Sequence, residues 1–262
     1  MGAFFVAFLF SHLRLQYILK SIMYNIEKNR KSLSFKIASL LVKVISHKPK
    51  VKYLGQKLED GSFVFLSNHS ARKAPTKIEL YFKRDLRMWG TYELTEGFKE
   101  VHKYLTNVYF REKKHWPKFW AKTLGTLAAP FFYSFYRGMR IIPTYRDARF
   151  MNTIKMSLSY IQNGTPIVIY PEDSSKGYNE IIEHFFSGFV SLLDIAYRRG
   201  HDLNVYVAYF QNKNNTFYID NPIRYSLLKE QYQSNYDLIA EALRNRMNEI
   251  AEQTRKKKKT TK

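Results

Sequence analysis

The sequence predicts one α/β domain whose central sheet is largely parallel and flanked by helices. Short apolar runs bounded by turn residues alternate with longer segments of helical period, the pattern of strands and covering helices. Two of the runs, residues 62–66 and 166–170, are almost wholly apolar rather than alternating, as expected of strands covered on both faces. The chain has 262 residues and no cysteine. That length can bury a full core without disulfides, and a thiol nucleophile or zinc–thiolate site is excluded.

The elements follow in order. Residues 1–48 read as an N-terminal helical segment with a basic break at 28–31. Phe4, Phe5, Phe8 and Leu9 recur at helical spacing, with Leu13 one turn on. An interfacial anchor helix and a helix packed on the domain both fit that stripe. Its charge-free stretch is shorter than the roughly 20 apolar residues that span a bilayer. The second segment, 49–254, opens with a strand at 50–53 and a turn at Glu59-Asp60-Gly61. The strand at 62–66 ends at Ser67-Asn68-His69. Pro75 sits where a helix can begin, and 76–83 continues it.

A strand is expected at 86–90 and a basic helix over 95–122. Residues 123–136 have no charge and are also too short to span, so they read as a buried helix or a membrane-dipping segment. A short strand at 141–143 precedes a helix at 149–162, closed by Asn163-Gly164. The strand at 166–170 is followed by a helix at 189–199, strands at 203–210 and 216–219, and a long amphipathic helix at 236–254. Residues 255–262 form a basic tail.

Charge narrows the partners. There are 43 Lys and Arg against 22 Asp and Glu, a net +21. Such a chain is drawn to polyanions, either nucleic acid or the anionic face of a membrane. The 20 Tyr, 20 Phe and 3 Trp suit a lipid headgroup region as well as base stacking. The basic residues are spread along the chain without a nucleic-acid-binding motif, so nucleic acid is not the expected partner. There is no glycine-rich phosphate loop and no grouping with metal-ligand spacing.

Chemistry in α/β sheets gathers where strands give way to loops, and three such places hold reactive residues. They read SNHSARKAP at 67–75, RGMRIIPTYR at 137–146 and YPEDSSKG at 170–177. In order and spacing these blocks resemble those of the 1-acylglycerol-3-phosphate acyltransferases, in the glycerophospholipid acyltransferase superfamily. The family pattern is Asn-His, four residues and Asp; then Ile-Pro, a spacer and Arg; then Phe-Pro-Glu-Gly-Thr-Arg. Phe186-Ser187-Gly188-Phe189 and Asp220-Asn221-Pro222-Ile223 echo later features, so the likeness covers roughly residues 50–250.

The resemblance implies a glycerolipid-acyltransferase-like fold that moves a fatty acyl group from acyl-CoA or acyl-carrier protein to a lysophospholipid hydroxyl. The setting would be the cytoplasmic face of an anionic membrane, with peripheral or monotopic attachment. His69 is then the general base, since imidazole titrates near neutrality, and Arg146 anchors the headgroup. Asn68, Glu172, Ser174 and Lys176 fall in the substrate-binding blocks, and amides near the third block would hold the oxyanion. The thioester is already activated, so no cofactor or metal is implied. The chain departs from the family at Ala74, where the acid that orients the histidine is expected, and at Asp173 and Ser175. Either another carboxylate serves His69, with Asp173 and Glu79 the candidates, or the chain is a non-catalytic lipid-binding relative. If position 74 lies in an exposed loop, Ala74→Asp is tolerated.

Overall fold

Successive side chains leave a strand on opposite faces, and the strand β2 (Val64–Ser67) is apolar on both. Val64 and Leu66 enter one buried layer; Phe65, with Phe63 before it, enters the other. The computed structural model describes residues 33–70, 73–173, 177 and 179–256. Among them the strands form one eight-stranded sheet. Besides β2 these are β1 (Lys50–Tyr53), β3 (Arg87–Thr91), β4 (Ile142–Thr144), β5 (Ile167–Ile169), β6 (Asn204–Gln211), β7 (Thr216–Ile219) and β8 (Ile223–Arg224). The order is β1-β7-β6-β2-β5-β3-β4, with β8 on β6.

Strand β2 pairs in parallel with β5 on one side and β6 on the other. The β3–β5, β3–β4 and β1–β7 pairs are parallel, whereas β6–β7 and β6–β8 are antiparallel. The chain is thus α/β, with a mostly parallel mixed sheet flanked by helices in one domain. At one edge, β1 is exposed and places Lys50 and Lys52 where another strand would otherwise add.

One face of the sheet is covered by α1 (Leu33–Ile45), α2 (Lys73–Tyr81) and α4 (Lys118–Met139), against Phe63, Phe65, Val168 and Phe210. The short α3 (Phe98–Lys103) adds Val101 to the same layer. The other face is covered by α5 (Phe150–Gln162), α6 (Gly188–Arg198), α7 (Tyr225–Gln231) and α8 (Tyr236–Lys256), against Val64, Leu66, Ile167 and Val205. Asp194 ties the last three helices together. It accepts from Tyr225 (3.2 Å), Lys229 (2.8 Å) and Tyr236 (2.9 Å).

Several elements differ from the sequence expectation. The stretch 95–122 is not one helix: α3 passes into a π-helical segment, Tyr104–Lys113, and Pro117 then caps the start of α4. Proline tolerates that position because it has no N–H to leave unpaired. Residues 123–136 are the interior of α4, with Ala129, Phe135 and Tyr136 buried and Leu127 exposed. No described helix is long and apolar enough to cross a membrane. Helix α2 begins at Lys73, and Pro75 falls within its first turn, where it breaks no helical hydrogen bond. The β8–α7 pair was not foreseen beyond Ile223. The stripe from Phe4 to Leu13 and the tail beyond 256 lie outside the described residues.

Helix α1 docks on α4 through one tight contact. Phe35 stacks on Phe135 at 5.6 Å, and a Cβ on Gly138 would lie 2.5 Å from the Phe35 Cβ and closer still to its ring. Because the Phe35 Cβ is itself too close, turning the ring alone cannot relieve the clash. Gly138→Ala is expected to destabilise the fold by about 1–3 kcal/mol through overpacking, overriding the ~1 kcal/mol that alanine gains in a helix. Urea unfolding measures this; a more stable variant would mean that α1 is not seated as described.

Candidate functional site

The carboxyl ends of the parallel strands bring the reactive residues together. Asn68 follows β2 and is only 4% exposed. Its Nδ2 donates to the Phe210 carbonyl (3.1 Å), and its Oδ1 accepts from the Phe210 amide (2.7 Å). The side chain thereby extends the β2–β6 pairing, and both ends of its amide are used by the backbone. Asn68 holds the strand end rather than facing a ligand. Next, His69 N–H donates to Glu172 Oε2 at 2.9 Å, tying the end of β2 to the segment after β5. Ser70 then takes a left-handed φ of 43°, a conformation uncommon outside glycine and asparagine and concentrated at functional sites.

The segment after β5 is held from its other side. Glu172 bridges Phe185, Asp173 N–H donates to His184 O (3.1 Å) and Phe186 N–H donates to Pro171 O (2.9 Å). These amides, expected near an oxyanion, are already paired. Burial pushes the Glu172 carboxyl above its usual range, and the His69 N–H offsets only part of that.

Tyr170 was passed over in the sequence because it reads as the last residue of a buried strand. Its ring meets the His69 imidazole edge to face, with centroids 5.3 Å apart. Its hydroxyl is buried and has no hydrogen-bond partner in the protein. Burial, and then the charge of Glu79, push the phenol well above its ordinary pKa, so it stays protonated and remains a donor. The departure from the family's phenylalanine was the available signal.

A groove of about 2560 Å³ runs over these strand ends, lined by His69, Tyr170, Glu172 and Arg146. Its apolar walls come from α1 (Leu41, Val42, Ile45) and α4 (Phe131, Phe132, Phe135). Arg146, beyond β4, is exposed and lies over the Phe186 ring at 5.5 Å. Among the described residues no carboxylate pairs with it. Arg149 contrasts: Asp147 grips its guanidinium at 2.8–3.1 Å, and the guanidinium stacks on Tyr145 at 4.4 Å.

The two candidate acids stand apart. Asp173 lines a separate cavity of about 80 Å³ with Ile182, Glu183 and His184, and is not among the described residues lining the groove. Glu79 lies on α2, close enough to Tyr170 to act on its phenol. Ser174 and Lys176 lie outside the described residues. No group of described residues could hold a metal ion.

Position 74 is not in an exposed loop. Ala74 is 0% exposed, within α2, and belongs to the apolar layer of Phe65 and Ile78. Ala74→Asp would bury a carboxylate against that layer and is expected to cost at least about 3 kcal/mol at pH 7. Chemical denaturation measures it; an unchanged midpoint would mean that the new acid finds a cation the parent does not offer it.

Glu172 gives a pH test. Its folded pKa lies above the unfolded one, so its ionisation costs nothing in strong acid, where both states are protonated. Stability falls as pH rises from the unfolded value through the folded one, and the cost is fully present above it. Glu172→Gln keeps an oxygen for the His69 N–H and removes the charge. The variant should be more stable than the parent at pH 7, with the gap closing below about pH 4. A gap that widens on acidification would contradict the assignment.

No protein-family model matches the chain, and no curated protein matches it.

Proposed function

We propose that this protein transfers a fatty acyl group from acyl-CoA or acyl-carrier protein to the hydroxyl of a lysophospholipid or related lipid at a membrane surface. The observation that carries this reading is the single groove that His69 and Arg146 share, beneath apolar walls long enough for an acyl chain. The order of the three strand-end blocks supports it.

In this reading the His69 imidazole takes the proton of the acceptor hydroxyl as that oxygen attacks the thioester carbonyl. The C–S bond then breaks, and the leaving thiolate recovers the proton from the imidazolium. Glu172 fixes the His69 backbone, and Arg146 holds the acceptor's phosphate in its planar fork. The protonated Tyr170 phenol beside the imidazole supplies the donor for the developing oxyanion.

The surface charge fits an anionic membrane. Residues 33–58 hold six lysines and no acidic residue; residues 113–146 hold four lysines, three arginines and no acidic residue. Each such cation near an anionic bilayer adds about 1 kcal/mol of attraction. Leu33, Leu40, Val44 and Ile45 of α1 are exposed among those lysines, a pairing that suits peripheral attachment.

Ala74 favours a second reading, a lipid-binding relative that performs no chemistry, because the family's orienting acid is replaced by a buried methyl group. Labelled acyl-CoA with a panel of lysolipids in anionic liposomes separates the two. Transfer by the parent should fall about 100-fold or more in His69→Ala, with an unchanged circular dichroism spectrum. Full activity in a folded His69→Ala protein would remove His69 as the base. An inactive parent that still binds the lysolipid would favour the second reading.

A further inference from the structure

The geometry points to a phosphate-ester subsite formed by Lys73 and Lys77, on the opposite side of His69 from Arg146. Strand order sets the sides. Along the carboxyl edge of the sheet, β6 ends at Gln211, β2 leads to His69 and, three strand positions beyond β2, β4 leads to Arg146. Helix α2 begins four residues after His69 and presents Lys73 and Lys77 one turn apart, hence on the same side. Both line the groove, together with His47, Asn212 and Lys213.

These two ammonium groups face only neutral oxygens. Lys77 is 7% exposed; it donates to the His47 carbonyl at 2.6 Å and lies 3.5 Å from Ser46 Oγ. Lys73 donates to Asn212 Oδ1 at 3.0 Å. Among the described residues no carboxylate pairs with either, whereas the neighbouring Lys213 pairs with Glu180 at 2.9 Å. A buried ammonium without a counter-ion is costly, and a like charge one turn away adds to that cost. Burial and then Lys73 lower the Lys77 pKa, as expected for a cation short of an anion.

A phosphate ester supplies what is missing. It brings up to two negative charges and several acceptor oxygens, which two flexible ammonium donors can approach from different directions. The class of ligand rests on the acyl-transfer reading, in which the donor's coenzyme A arm and the acceptor's headgroup both carry phosphate. With Arg146 on the far side of His69, the groove offers one cationic position on each side of the base.

Calorimetric titration of the full chain tests this without turnover, using coenzyme A, pantetheine and a short-chain lysophosphatidate below its critical micelle concentration. Lys73→Gln, at an exposed position, should weaken one phosphate ligand about tenfold or more while pantetheine is unaffected, and the difference should shrink as salt rises. Loss confined to coenzyme A assigns the subsite to the donor; loss confined to lysophosphatidate assigns it to the headgroup. Arg146→Ala should weaken the other ligand. Lys77→Met is the second variant, read only if circular dichroism and melting show it folded. Both phosphate ligands bound within twofold of the parent by Lys73→Gln would overturn the proposal, as would a parent that binds neither. A chain that binds through Lys73 yet transfers no acyl group keeps the subsite and loses the enzymatic reading.

Discussion

Two hydrogen bonds from one buried amide hold the end of the central strand. Asn68 returns both ends of its side chain to the Phe210 backbone, so β2 and β6 stay paired one residue beyond Ser67, where the ladder would otherwise open. The next residue is His69, whose N–H reaches Glu172 after β5. The two links pin the histidine between the strands on either side. An amide buried with either end unpaired would cost about 1–3 kcal/mol, so residue 68 must be one that can both donate and accept here. An aspartate could not donate, and a leucine could do neither.

The groove that these links support has an apolar character that acts on every ionisable group within it. Burial pushes the carboxyl of Glu172 up and the ammonium of Lys77 down, so each shift disfavours the charged form. The Tyr170 phenol is held neutral by the same cause. Charges placed in such an environment interact strongly because little water screens them. Lys77 and Glu172 are not paired to each other; each is held through backbone atoms or neutral partners. The site therefore keeps its polar groups fixed in position without neutralising them, the condition under which a bound ligand's charge has the largest effect.

Much of this was legible in the sequence, for reasons that can be named. The runs around Val64 and Ile167 are apolar on both faces, which only a strand covered on two sides requires, so the α/β class and the strand ends could be read directly. Arg146 and His69 were found by position, since both follow strands. The break at Pro117 was hidden because 95–122 keeps a helical composition on either side of it. The role of Asn68 was hidden too: a polar residue next to a histidine reads as a ligand contact, and only the register with β6 shows its amide to be used up. Lys77 was hidden by charge, because in a chain of net +21 a buried lysine cannot be told from the solvated ones. Its spacing from Lys73, four residues on a helix that starts beside the histidine, was the one signal available.

The exchange at Ala74 bears on how a base can work without the usual acid. An acid beside a histidine orients the imidazole and stabilises its cation. Here the first task is divided among other groups: Glu172 holds the backbone, and the Tyr170 ring bounds one side of the imidazole. The second task has no such substitute in Tyr170, because a neutral phenol stabilises a cation far less than a carboxylate does. Glu172 carries a carboxyl, but burial raises its pKa, so its charge is available only above that raised value. Any stabilisation that Glu172 gives to an imidazolium must therefore grow as pH rises through that range. A base built this way has its position set by packing and its strength set by a carboxyl that is itself only conditionally charged.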